Sequence, residues 1–216
     1  MHVSTPSALP GAKKAGRKPA FTADDVIAAA VAEGIDGFTM SAIARRLGVV
    51  TGAIYRLFPS RDELVVACLD TAAATLRTPE PGADWRGVLR LWADECWRVC
   101  EEFPGLSRLV YTFPTAPTRI DHVFAAYTDA LAAVGRTRGQ AMFALDFLGD
   151  TVFVTHLGVT SMRAVDDSGA SGLDRVRGEL PEGSTLQPRD SWTDRGLLDA
   201  KLDFIINGLE RDWPQD

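Results

Sequence analysis

The side chains best placed to do chemistry gather in the run FTMSAIARRLGVVTGAIYRLFPSR, from Phe38 to Arg61. Thr39, Ser41, Thr51, Tyr55, Arg56 and Arg61 carry hydroxyl, phenol or guanidinium groups, and Gly52 and Ala53 lie among them with almost no side chain. Hydroxyls and guanidinium forks donate to phosphate oxygens and base edges, and small residues let a helix sit deep in a groove. This set suits hydrogen bonding to a duplex rather than bond making. Lys13, Lys14, Arg17 and Lys18 stand just upstream in a Pro/Gly/Ser/Ala stretch, residues 1–19, with no periodicity. That stretch is expected to be a disordered basic arm able to follow phosphates, or else a solvated tail.

Other groupings are weaker. Asp146 and Asp150 are four apart, but the step from Asp150 to His156 does not share their helical face, so no metal centre is expected; ligand contacts or interface hydrogen bonds are. His122 stands alone and is read the same way. Cys96 and Cys100 are also four apart, a poor disulfide geometry within a helix, and without further ligands they make no zinc site. They read as buried small apolar residues. Trp92, Cys96, Phe103, Tyr111, Phe113, Tyr127, Phe143, Phe147 and Asp150 are candidates to line a pocket for a flat apolar or aromatic molecule, with Trp97 as a further aromatic and much of the set serving as core. No Gly-rich phosphate loop, G-x-S-x-G turn or loop-borne carboxylate pair is present, so neither an enzyme nor a cofactor is implied.

The elements that must position the first set can be read from caps and spacing. Thr39 suits an N-cap, Ile43 and Leu47 share a face, Ala44 is small enough for a close crossing, and Gly48 can take the left-handed cap. Val49 plugs the turn, and Ile54 and Leu57 should face inward from the next helix. This order predicts a helix-turn-helix with helices over 40–47 and 51–57. A first helix over 23–33 is capped by Thr22, carries Asp24 and Asp25 in its first turn, and buries Val26, Ile27, Ala30 and Val31 before Gly34. Ser60 and Glu63 read as a capping box for a fourth helix over 61–77, a rod about 25 Å long. Arg61 at its start, beside free backbone N–H groups, is placed to meet a DNA phosphate. Tyr55 reads as either a second phosphate donor or a half-buried aromatic.

Residues 20–66 resemble the DNA-binding domain of the TetR family of bacterial one-component repressors. The matching runs are DDVIAAAVAEGIDGF, then T-x-x-x-I-A-x-x-L-G-V, then A-I-Y-R-x-F-P-S-R with Asp62-Glu63-Leu64 behind it. The resemblance implies operator contacts from Lys18, Thr39, Ser41, Thr51, Gly52, Ala53, Tyr55, Arg56 and Arg61. Val50 departs from the polar residue that often begins the recognition helix. Ser41 is shorter than some members carry, and Arg61 replaces the usual lysine. Residues 84–210 resemble the ligand-binding and dimerisation domain of members near the tetracycline repressor, on Trp85-Arg86, Phe103-Pro104 and the closing F-I-I-N-G-L-E.

Charge agrees with this division. The net charge is −6, yet basic residues outnumber acids up to Arg61 and acids dominate beyond it, the footprint of nucleic-acid binding confined to one end. Three cysteines and no secretory segment fit a reducing cytoplasm. No stretch of about 18 uninterrupted apolar residues occurs, so no membrane partner is expected. Beyond Gly82 the periodicity is helical, over 84–101, 104–111, 118–134, 137–164 and 193–211, with a mobile loop over 165–191.

The whole chain therefore reads as all-α: a disordered arm (1–19), a three-helix DNA-binding domain (20–66) and a larger helical ligand-binding and dimerisation domain (67–216). The expected behaviour is a dimer joined through 141–164 and 193–211, bound to a palindromic double-stranded operator and released by a small-molecule effector; a ligand-independent DNA-binding protein of the same fold is the alternative. Operator sequence, effector and the sign of regulation are not legible.

Overall fold

The first regular element starts where Thr22 and Asp25 cap one another. Thr22 Oγ1 accepts from the Asp25 amide at 3.2 Å, and the Asp25 carboxylate accepts from the Thr22 amide at 2.7 Å, so two N–H groups that a helix leaves free are satisfied. The computed structural model describes residues 21–214, and among them every regular element is helical apart from one isolated bridge, Val165 to Ser171. The basic arm, Lys18 included, lies outside the described residues.

Three short helices form the head: α1 (Ala23–Glu33), α2 (Met40–Leu47) and α3 (Thr51–Tyr55). Thr39 Oγ1 caps α2 by accepting from the Ala42 amide at 3.1 Å. Gly48 closes α2 at φ 67°, a left-handed conformation that costs a residue with a β-carbon about 1–2 kcal/mol. α3 is two residues shorter than the spacing predicts. Val50 has no side-chain oxygen to cap it, and Leu57, expected to face inward, is 42% exposed. Ile54 alone anchors α3 in the core.

α4 (Arg61–Thr75) follows, capped by Ser60 Oγ accepting from the Glu63 amide at 3.1 Å. Only that half of the expected reciprocal cap forms, and the helix ends two residues early. Its Leu64, Val65, Cys68, Leu69 and Ala72 pack against Val26, Ile43 and Ile54 of the head and against Val99, Phe103 and Leu106 beyond it. The head core therefore does not stop at residue 66; it continues into the body.

The body comprises α5 (Trp85–Glu102), α6 (Leu106–Thr112), α7 (Asp121–Ala133), α8 (Arg138–Arg163), α9 (Gly172–Glu179) and α10 (Leu198–Arg211). Trp92, Tyr127, Leu131, Leu145, Leu148, Leu202 and Ile206 make its core. By length and composition α8 could cross a membrane, but one side of it, from Ala141 through Leu148 and Val152 to Val159, is packed inside this bundle.

Three expectations are corrected. The helix placed at 118–134 is a 3-10 turn, Ala116–Ile120, followed by α7, because Pro117 tightens the entry. The segment 165–191 is not all loop. Ser171 and Asp174 form a reciprocal cap and Leu173 is buried, which gives α9 a start and an anchor in a loop-like composition. The last helix begins at Leu198 rather than 193, behind a 3-10 turn over Asp190–Thr193.

α9 also sits tightly on the end of α8. A β-carbon on Gly172 would lie 2.1 Å from the Ser161 carbonyl oxygen. Gly172→Ala is expected to cost about 1–3 kcal/mol. Gly178→Ala in the same helix, with nothing within 4 Å, should be neutral or slightly stabilising. Urea unfolding of the pair checks this; equal midpoints would show that α9 is not docked there.

Candidate DNA-binding face and internal cavity

The surface of α3 divides cleanly. Ile54 is buried, Gly52, Tyr55 and Arg56 are exposed, and Thr51 and Ala53 are half-buried. Tyr55 and Arg56 make no side-chain hydrogen bond among the described residues. Tyr55 is 47% exposed and Val50, at the N-cap, 75%. Ser41 is exposed on α2, its hydroxyl 3.1 Å from Thr39 Oγ1. Arg46 is paired with Glu33 at 3.0 Å, whereas Arg45 is exposed with no such partner among the described residues. The result is an uncharged, small-residue helix face rimmed by hydroxyls and guanidinium groups.

Arg61 is employed differently from the sequence expectation. Its Nη2 donates to the Asp36 carbonyl at 2.7 Å and its Nε to the Phe38 carbonyl at 3.1 Å, with the guanidinium 4.9 Å from the Phe38 ring centroid. The turn between α1 and α2 leaves those carbonyls without helical partners, and the fork of arginine satisfies two of them. Arg61 thus ties the start of α4 to the head, so its first task is positioning rather than a free reach to phosphate.

Two further contacts join head to body. The Ile35 amide donates to the Pro104 carbonyl at 2.7 Å, and Arg108 lies 3.5 Å from the Asp36 carboxylate. At the other end of α4, fully buried Glu95 accepts from the Arg77 amide at 2.9 Å, from Arg77 Nε at 2.7 Å and from Arg98 Nη2 at 2.6 Å. Arg98 also donates to the Thr75 carbonyl at 2.7 Å and Tyr127 to the Arg77 carbonyl at 2.8 Å. The C-terminal end of α4 is held by hydrogen bonds gathered around one buried carboxylate.

Between α4 and α8 lies a cavity of about 310 Å³. α4 supplies Leu69, Ala72 and Ala73, with Leu76 at its C-cap; α5 supplies Trp92, Cys96 and Val99; α6 supplies Leu106, Val110 and Tyr111. The 3-10 turn and α7 add Arg119, Ile120 and Phe124, and α8 adds Leu145, Asp146, Gly149, Asp150 and Phe153. Tyr111 donates its phenol proton to Asp150 at 2.9 Å. Burial and the neighbouring Asp150 carboxylate raise its pKa far above the usual phenol value, so it remains a donor.

Of the candidate pocket residues, Trp92, Cys96, Tyr111 and Asp150 meet in this wall. Phe103 is buried in the head-side core and Phe113 packs on it. Tyr127 is fully buried beside Trp92. Phe143 and Phe147 form a pair 5.8 Å apart on α8 and are 46% exposed. Aromatic type alone did not separate these places. The helical spacing of Asp146, Gly149, Asp150 and Phe153, and of Leu69, Ala72, Ala73 and Leu76, was the available signal. His156 sits elsewhere, buried with Nδ1 3.3 Å from Ser107 Oγ and Nε2 3.3 Å from Glu101. All three cysteines are buried and reduced; burial pushes Cys68 and Cys100 up to about 12 and Cys96 well above its usual value, which disfavours thiolate chemistry.

Residues 26–68 match the family model described as bacterial regulatory proteins, tetR family. The HTH-type transcriptional repressor DrrR1 of Streptomyces coeruleorubidus is 33% identical over 113 residues, which are 49% of this chain and 42% of that protein, so the chain spans less than half the length of this curated relative. A substituted TetR from Acinetobacter baumannii AYE in complex with minocycline superposes with TM-score 0.61 at 23% identity, over 88% of this chain and 97% of that one. ActR of Streptomyces coelicolor in complex with (S)-DNPA gives 0.62 at 20% identity, over 90% and 99%. At such identities the solved structures speak for the fold, and the head match adds the motif. The helix-turn-helix head thus matches the tetR family model over residues 26–68, and the all-helical body behind it has the fold of solved TetR structures.

Proposed function

We propose that the protein is a ligand-responsive transcriptional repressor that binds a palindromic operator as a homodimer and releases it when a small molecule fills the cavity. One observation carries the reading: α4 starts at the DNA-binding head, tied there by Arg61, and its far half forms a wall of the cavity. A molecule that displaces that wall tilts the rod and with it α3. Release needs a differential affinity for the two arrangements of roughly 2–5 kcal/mol. The relative named a repressor, and the two relatives holding small molecules, support both halves of this reading. The cavity favours it over ligand-independent DNA binding.

In this reading residues 20–66 are the reading head and 67–216 the sensor and dimerisation body, with exposed Gly52, Tyr55 and Arg56 and half-buried Thr51 and Ala53 facing the major groove, Thr39 and Ser41 beside it, and Lys18 on the arm. The dimer forms through α8 and α10. Their outer surfaces show Phe143, Phe147 and Val154 on α8, and Phe204, 81% exposed, on α10. An isologous pairing of these two helices with their twins would bury them. Residence in the cytoplasm follows from the same function.

Arg56→Ala is expected to weaken binding to any duplex and reduce the slope of log affinity against log salt by about one. Tyr55→Phe should weaken binding about fivefold, the worth of one hydrogen bond, without changing that slope. Mobility shifts on duplexes from around the protein's own gene, at several salt concentrations, test both. Binding unaffected by either change would remove α3 from the interface. Phe204→Glu should give a monomer by sedimentation; a persistent dimer would place the interface elsewhere.

A further inference from the structure

The walls of the cavity are apolar, yet its rim carries uncompensated acid. Asp146 has no hydrogen-bond or ion-pair partner among the described residues, and Asp150 receives only the Tyr111 hydroxyl, at 2.9 Å. Arg119, the cation in the wall, lies 3.6 Å from Asp70 and also donates to Thr118. Outside Asp146 a second hollow continues the rim past Asp121 and Asp129, with Arg138 as its basic residue. Behind the carboxylates, Trp92 and Phe124 stand edge to face with centroids 5.1 Å apart, and the Trp92 N–H is already given to the Leu145 carbonyl at 2.8 Å. That leaves the inner chamber with ring surface to offer rather than donors.

We infer that the effector is an aromatic cation: a fused-ring body seated against Trp92, Phe124 and Phe153, and a protonated amine held by Asp146 and Asp150. This deepens the reading of the cavity as the effector site and depends on it. The physical reason is pairing. Asp146 and Asp150 are exposed at the mouth of the cavity, so they would hold a protonated amine by charge-assisted hydrogen bonds rather than through burial, and aromatic faces add to the attraction of a cation. An anionic ring compound would meet two acids and one arginine already engaged, so the same groups exclude it. Tyr111, whose phenol is held protonated by burial and the neighbouring carboxylate, donates to Asp150 and orients it.

Three tricyclic probes of nearly equal size separate the possibilities by fluorescence titration of the full chain: 9-aminoacridine, cationic at neutral pH; acridone, neutral; and acridine-9-carboxylate, anionic. The cation is expected to bind about tenfold tighter than acridone, the return expected from one charge-assisted hydrogen bond, and the anion not measurably. In the Asp146→Asn, Asp150→Asn double variant the ratio of cation to neutral probe should shrink to within about threefold. Val110→Trp, which fills the chamber from its α6 wall, should abolish binding of both in a protein whose thermal unfolding remains cooperative. Equal affinity of cation and neutral probe, both lost in Val110→Trp, overturns the cation preference and leaves the effector site standing. Binding that survives Val110→Trp, or no binding by any probe, overturns both.

Discussion

Replacing Glu95 by alanine is expected to lower stability by about 2–4 kcal/mol, the worth of several charge-assisted hydrogen bonds to one buried carboxylate whose arginine partners are themselves part-exposed. Glu95 is fully buried and accepts from Arg77 and Arg98 and from the backbone amide of Arg77. Its loss would leave Arg98 with Glu102 as its remaining counter-charge, leave the Arg77 amide without its acceptor and release the last turn of α4. Glu95→Gln should cost less, because an amide keeps an acceptor for the Arg77 amide. Urea unfolding of the two variants gives the ordering; an alanine variant within about 1 kcal/mol of the parent would show that the cluster is not a structural clamp.

The same cluster predicts an acid limb. Burial raises the pKa of Glu95, but hydrogen bonds from Arg98 and Arg77 outweigh it and bring it from 4.5 to about 2. A carboxylate depressed in the folded state contributes its stability above its unfolded value near 4.5, and that contribution is lost as pH falls towards 2. The parent should therefore lose stability steeply below about pH 4.5, and Glu95→Gln should lose less over the same window. Parallel limbs would place the acid sensitivity in other carboxylates.

Gly105→Ala is the second large effect. Gly105 lies at φ 95°, and a β-carbon there would stand 2.2 Å from Asp36 Oδ1 and 2.8 Å from the Asp36 backbone nitrogen. The side-chain oxygen can rotate away; the backbone nitrogen cannot. Added to the strain of a left-handed residue, the expected cost is about 2–4 kcal/mol. The functional consequence is more specific than the stability loss. Residue 105 follows Pro104, whose carbonyl takes the Ile35 amide, so relief of the clash moves the head away from α6. Duplex affinity should fall at temperatures where circular dichroism still shows a folded protein. Gly37→Ala, with nothing within 4 Å, is the control, and equal duplex affinity in both variants would show that this corner does not set the pose of the head.

These two sites mark opposite ends of one assembly. Glu95 holds the body end of α4, and the Pro104–Gly105 corner holds the head beside the opening of α6. The cavity lies between them, walled by α4 and α6. An effector entering there would push on both connections at once, which is why changes at either should alter coupling as well as stability.

The sequence by itself determined the local structure of the head. Thr22, Thr39, Ser60 and Gly48 stand where single residues decide a helix boundary, and a cap needs only neighbours within three or four positions. It also determined the all-helical class, which follows from periodicity, but not which way all of α3 faces: Leu57, expected inward, is exposed. Tertiary structure decided the rest. Arg61 looked free until the turn carbonyls of Asp36 and Phe38, more than twenty positions away, were brought to its fork. Glu95 carries no local mark of burial; Arg77, eighteen positions away, and Arg98 close over it only in the fold. Phe143 and Tyr127, equally aromatic, fell on the outside of α8 and in the core because burial depends on which helix crosses which. Pairings between distant segments have no local signature: the chain encodes them in many weak packing preferences summed over a whole helix face, and those become readable only once the faces have met.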